Sequence, residues 1–257
     1  MDVAISSPDD DGRPLPAGDR VAPIDSALDR VETERTELDM EREALRRFAD
    51  RVREIDPSRP KAVPAGVPSL SSGVRSTDAM EQVRAAYRET VMAVPHYEEA
   101  YDEPLATNLA AELGPDLTTA VCSDRDVSVT PQFRAAVAGA AEEAASRRGT
   151  FLGTLDTERE SLRHARRSLD ELGCAVRVLV DGDEATLSAA EVLDRLEGVT
   201  TKRQRLLHGR TLPSHIEAHG LCSYLYGEMQ WTYPVLAVAA ILRAKLDAAG
   251  LSPSPEA

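Results

Sequence analysis

Three side chains able to bind a transition metal, His215, His219 and Cys222, recur at i, i+4 and i+7, a spacing that places them on one helical face. Against a metal stand Gly220, which weakens a helix between them, and the lack of a nearby fourth ligand, His208 being remote. The segment His215-Ile216-Glu217-Ala218-His219 also differs from H-E-x-x-H, whose glutamate is placed as a general base. Paired acids such as Glu98-Glu99 and Asp102-Glu103 could serve acid–base chemistry, but in so acidic a chain such pairs carry almost no information. No glycine-rich dinucleotide fingerprint, phosphate-binding G-K-[ST] loop or G-x-S-x-G elbow occurs. No catalytic residue, cofactor or metal is therefore assigned, and the chain reads as a non-enzyme.

Two features touch on nucleic acid. Lys202, Arg203, Arg205 and Arg210 form the densest basic run, which on a helix reads first as a solvated or salt-bridged face. Ala110, Gly114 and Ala120 fall at a helix-turn-helix spacing. The second helix of that pair would have to read bases, yet residues 115–122 contain Asp116 and no positive charge. A capped helix pair is the default reading, and the charge argues against nucleic acid as a partner.

The remaining polar residues of interest break an aliphatic rhythm. A first helix is expected from Pro23 to Ile55, with a positions Ile24, Val31, Leu38, Leu45 and Val52 and d positions Ala27, Glu34, Glu41, Phe48 and Ile55. Pro57 ends it. A second opens at Thr130-Pro131 and is expected to reach Leu172, before Gly173. Its seam runs Val137, Ala141, Ala144, Phe151, Leu155, Glu158, Leu162, Ala165, Leu169 and Leu172. A third starts with the capping box Ser188-Ala189-Ala190-Glu191, ends near His208, and has the seam Val192, Leu196, Val199, Arg203 and Leu206.

The first two helices echo one another: ELDMEREALR at 37–46 and TLDTERESLR at 154–163 share seven residues at equal offsets, Glu41 matching Glu158. If the echoes face each other antiparallel, Glu41 lies opposite Glu158, and a third helix parallel to the first brings Arg203 to their level. The expectation is one polar layer of Glu41, Glu158 and Arg203 in a three-helix coiled coil, which would fix register at some cost in stability. The competing reading makes them solvated edge charges.

Residues 76–129 read as a helical head. Its first helix carries Met80, Val83, Tyr87 and Val91; Tyr97 and Tyr101 follow Pro95; Pro104 opens a helix with Leu105, Leu109 and Leu113 that Gly114-Pro115 stops. Residues 211–249 read as a small cap, with a short helix capped by Ser214 and a last helix from Pro234 carrying Val235, Val238, Leu242 and Leu246. Tyr224, Tyr226, Trp231 and Tyr233 gather much of the aromatic content into ten residues; they suit a partner interface or, as the preferred reading, a plug for the bundle end. Residues 1–22 read as a disordered leader, 57–75 as a linker and 250–257 as a disordered tail, so the coiled-coil stalk is 23–56 plus 130–210.

The surface is acidic, 44 Asp and Glu against 30 Lys and Arg for a net charge of −14, and lysine appears only at 61, 202 and 245. Such a surface suits a cytoplasm at molar salt, where the Debye length falls to about 3 Å and carboxylate repulsion is screened. Cys122, Cys174 and Cys222 are far apart and odd in number, which points to free thiols in a reducing cytosol. No apolar run is long enough for a signal peptide core at the N-terminus or a bilayer span, so a cytoplasmic protein without a membrane is expected.

Two segments, VRAAYRETVMAVPHYEEAYDEPLATNLAAELGPDL (83–117) and CSYLYGEMQWTYPVLA (222–237), resemble a family of uncharacterised haloarchaeal helical, coiled-coil proteins, and the long heptad helices are similar too. The resemblance covers most of residues 24–245, implies a halophilic source and implies no activity. The expectation is an all-α protein with an antiparallel three-helix coiled-coil stalk, an inserted helical head and a small helical cap. Its expected role is interaction or scaffolding with a protein partner or a second copy. A DNA-associated transcriptional regulator is the first alternative, and an enzyme or metal-binding protein using the cap the second.

Overall fold

The computed structural model describes residues 20–56, 72–123, 128–208 and 220–251, and of 72–78 only the backbone. All secondary structure among the described residues is helical. The helices are α1 (Ala22–Glu54), α2 (Ser72–Thr90), α3 (Tyr97–Ala100), α4 (Leu105–Leu113), α5 (Pro115–Cys122), α6 (Pro131–Asp181), α7 (Ala189–His208), α8 (Gly220–Tyr226) and α9 (Pro234–Ala248). The protein is all-α, as the periodicity requires. The expected leader up to residue 19, most of the linker (57–71), the Ser214 cap with His215 and His219, Arg210, and residues 252–257 lie outside the described residues. α2 opens at Ser72, four residues inside the segment read as linker.

Local signals act where they should. Thr130 Oγ1 accepts the Phe133 amide at 3.1 Å, and Ser188 and Glu191 close the capping box, the Glu191 carboxylate accepting the Ser188 amide at 2.8 Å. One stop signal does not. α6 runs through Gly173 to Asp181, because no positive φ interrupts the helix at Gly173 and the seam continues to buried Val176. Gly173 instead allows close approach: a Cβ there would lie 3.4 Å from Arg20 and 3.5 Å from Leu242. The stop is Gly182, at φ +77, where the Asp183 amide donates to Val178 O and the Gly182 amide to Leu179 O.

The chain divides into two compact units, Glu32–Asp156 and Met1–Val31 with Thr157–Ala257. The division falls inside α1 and α6, so each long helix supplies side chains to both. In the 32–156 unit, Leu45, Phe48 and Val52 of α1 share a core with Val83 and Tyr87 of α2, Leu109 and Leu113 of α4, Val121 of α5 and the Val137–Ala141–Ala144 face of α6. Phe48 and Tyr87 meet edge to face, centroids 5.0 Å apart.

Cross-helix pairs within this unit run antiparallel: Arg35 with Asp156 at 2.9 Å, Arg148 with Glu41, and Arg134 donating to the Ile55 carbonyl at 2.5 Å. Their register differs from the one the echo suggested. With Asp156 beside Arg35, α6 is displaced by about two turns from a pairing of Glu41 with Glu158. An alanine-rich seam offers little relief to lock a register, so the crossing ion pairs select it. In the other unit, Arg166 pairs with Asp25 and Arg20 donates to Gly173 O at 2.9 Å. Its core takes Val192 and Leu196 of α7, Leu221 and Leu225 of α8, and Val235, Val238, Leu242 and Leu246 of α9. Leu162 is fully buried and Leu38 partly so.

Candidate functional site

Both echoed glutamates stand at seam positions where an aliphatic residue would pack, and both are buried, Glu41 7% and Glu158 0% exposed. Each belongs to a different unit and gathers its own donors. Glu158 of α6 and Arg203 of α7 form a bidentate pair: Nη2 donates to Oε1 at 2.6 Å and Nη1 to Oε2 at 2.9 Å. The Tyr226 hydroxyl of α8 donates to Oε1 at 2.8 Å. Ser161 Oγ lies 3.2 Å from Arg203 Nη1, and Cys222 Sγ 3.7 Å from Nη2. Burial first, then the adjacent Glu158 charge, push the Tyr226 phenol far above its ordinary range, so it remains a donor.

In the other unit, Glu41 of α1 receives the Arg148 Nε at 2.6 Å, the Tyr101 hydroxyl at 2.8 Å and His96 Nε2 at 2.9 Å. Arg148 turns its remaining two nitrogens to Glu112 of α4 in a second bidentate pair, at 2.8 and 2.7 Å. A neighbouring chain runs from the Tyr87 hydroxyl to Asn108 Oδ1 at 2.7 Å. Burial by itself would raise the Glu41 carboxyl, but the Arg148 charge and the hydrogen bonds from His96, Arg148 and Tyr101 outweigh it and hold it below its ordinary value.

Of the three residues expected in one layer, Glu158 and Arg203 come together, while Glu41 is satisfied by Arg148, His96 and Tyr101. Arg148 was missed, although it is the one position the α6 seam steps over between Ala144 and Phe151. The gap itself was the signal. His96, Tyr101 and Glu112 come from short helices and connections, where no periodicity marks a buried face.

The other candidates scatter. Cys222 is buried against Arg203, and among the described residues no three His, Cys, Asp or Glu converge as a metal cage. Lys202 and Arg205 are exposed on either side of buried Arg203. Gly114, at φ +91, joins α4 to α5, whose exposed face offers Asp116 and no basic residue. Of the aromatic run, Tyr226 is fully buried whereas Tyr224 (40%), Trp231 (39%) and Tyr233 (50%) are exposed.

Glu41 and Glu158 each accept from three donors on other elements, and Glu112 accepts from two nitrogens of Arg148. Such centres tie elements together. Together with the helices they define an all-helical protein built around two internal ion-pair centres, and among the described residues no helix is long and apolar enough to cross a membrane. A family model described as a domain of unknown function (DUF7260) matches residues 22–249, and the chain belongs to that family. No curated protein and no solved structure matches it.

Proposed function

We propose that this chain is a non-enzymatic interaction or scaffold protein of a halophilic cytoplasm. The observation that carries the reading is the exposure of Tyr224, Trp231 and Tyr233 within ten residues, three of the five large exposed hydrophobic residues among those described. Exposed aromatics are the side chains that anchor protein interfaces. The carboxylate centres add support, since each draws its donors from separate elements, as a centre that ties helices together does. Neither a DNA-reading element nor a metal or catalytic cap gains comparable support, α5 having no basic residue and Cys222 being turned to Arg203.

The test is capture of partners from native high-salt lysate by the full chain, compared with its Trp231→Ala, Tyr233→Ala variant. Partners retained by the parent and lost by the variant are expected; an identical set on both, or none on either, refutes the reading. The halophilic part rests on 44 acids against 30 bases and only three lysines. It predicts a melting temperature that falls as salt drops from molar to millimolar, and a flat response would contradict it.

A further inference from the structure

α9 is apolar on two opposite sides, and only one of them is covered. Val235, Val238, Ala239, Leu242 and Leu246 are buried in the unit's core. Along the reverse side run Tyr233, Ala237, Ala240, Ile241, Ala244 and Ala248, of which Ala237 and Ile241 are partly covered and the rest exposed. The 100° advance per residue puts Arg243 and Asp247 on one edge of this stripe and Lys245 on the other, with no charge inside it. An exposed apolar stripe bounded on both edges by charge is the pattern of a face that meets another surface.

We propose that the cover is a second copy of this chain, with α9 packed antiparallel on its twin across a two-fold axis near Ala240 and Ile241. This rests on the interaction-protein reading and names its partner. Charge is the first argument. Residues 220–251 balance Glu228 and Asp247 against Arg243 and Lys245, whereas residues 72–123 carry nine acids and three arginines. In a chain of net charge −14, a twin meets little like-charge repulsion at this segment. Shape is the second. Reversed upon itself about the Ala240–Ile241 midpoint, the stripe sets Tyr233 level with Ala248, Ala237 with Ala244, and Ala240 with Ile241. The bulky Tyr233 and Ile241 thus each meet a small residue of the twin, the self-complementarity a two-fold interface requires. One helix face and its aromatic end make a small interface, so the dissociation constant should be on the order of micromolar.

Trp231 is the only tryptophan of the chain and reports on this surface alone. Sedimentation equilibrium of the full chain in molar salt should show a reversible monomer–dimer equilibrium, with Trp231 emission shifting to the blue at the same midpoint. Ala240→Glu, at an exposed helical position, brings two carboxylates to the axis; it should weaken dimerisation at least tenfold while helicity, and the melting temperature at concentrations where the parent is monomeric, stay unchanged, and Ala244→Glu should do the same. A chain monomeric at all concentrations overturns the proposal, as does a dimer indifferent to both variants. If the chain stays monomeric yet its tryptophan shifts when a captured lysate protein is added, the interaction reading survives and the homodimer falls. If neither self-association nor a captured partner appears, both fall.

Discussion

Glu158 and Glu41 occupy the same place in an echoed stretch of sequence, yet the protein treats them differently. Glu158 faces a single arginine in a dry setting, its side chain 0% exposed and that of Arg203 3%. Glu41 shares Arg148 with Glu112, so two carboxylates divide one guanidinium, and His96 and Tyr101 make up the difference at side-chain exposures of roughly a tenth for the acids and histidine. The contrast teaches that a buried carboxylate is defined by the partners tertiary structure delivers. One centre is matched and sealed; the other is acid-rich and close to water, with part of its shell on short connecting elements.

The largest expected difference follows from removing each arginine. Arg203→Met strands Glu158 in a sealed core and should cost about 3–5 kcal/mol in chemical denaturation. Arg148→Met should cost less, about 2–3 kcal/mol, because His96 and Tyr101 still donate to Glu41 and water can reach both acids. Equal losses would remove the distinction between sealed and open centres. Replacing the sealed set together, as Glu158→Leu, Arg203→Met and Tyr226→Phe, should restore most of the stability lost by Arg203→Met alone.

A smaller effect separates the two tyrosines. Tyr226→Phe deletes a charge-directed hydrogen bond with no water to replace it and should cost about 1.5–3 kcal/mol. Tyr101 is 36% exposed, so Tyr101→Phe should cost under about 1 kcal/mol. A reversed order of melting temperatures would contradict the burial argument.

The smallest effect is in pH. Glu41 has its carboxyl held below the ordinary value of 4.5, so its stabilisation is complete above that value and is lost as pH falls through the folded-state value. Amide protection factors within residues 32–156, followed from pH 5 to pH 3, should fall more in the parent chain than in Glu41→Gln. Parallel profiles for the two would show that Glu41 does not contribute.

Much of the fold was legible because it is periodic. The α1 and α6 seams were readable residue by residue, and every α6 seam position named from the sequence, from Val137 to Leu172, is buried. The capping signals at Thr130 and Ser188 were equally local. Gly173 and Gly182 show where local reading ends: either glycine could stop α6, and only the approach of Arg20 and Leu242 explains why the first packs while the second takes positive φ. The candidate site was half legible. Arg203 and Glu158 broke the pattern and drew attention, and Arg148 broke it equally, yet its place in Ser146-Arg147-Arg148-Gly149 resembled an ordinary solvated run.

By itself, then, the sequence determined the long helices, the starts of α6, α7 and α9, their apolar faces and the acidic composition, because these depend on the residue types and on neighbours three or four residues away. Tertiary structure decided the register of α1 against α6 within residues 32–156 and the partner of each buried glutamate. Those choices rest on contacts between residues a hundred positions apart, such as Glu41 with Arg148. An alanine-rich seam is nearly indifferent to sliding, and the choice falls to a few charged side chains that cannot be left unpaired once water is gone.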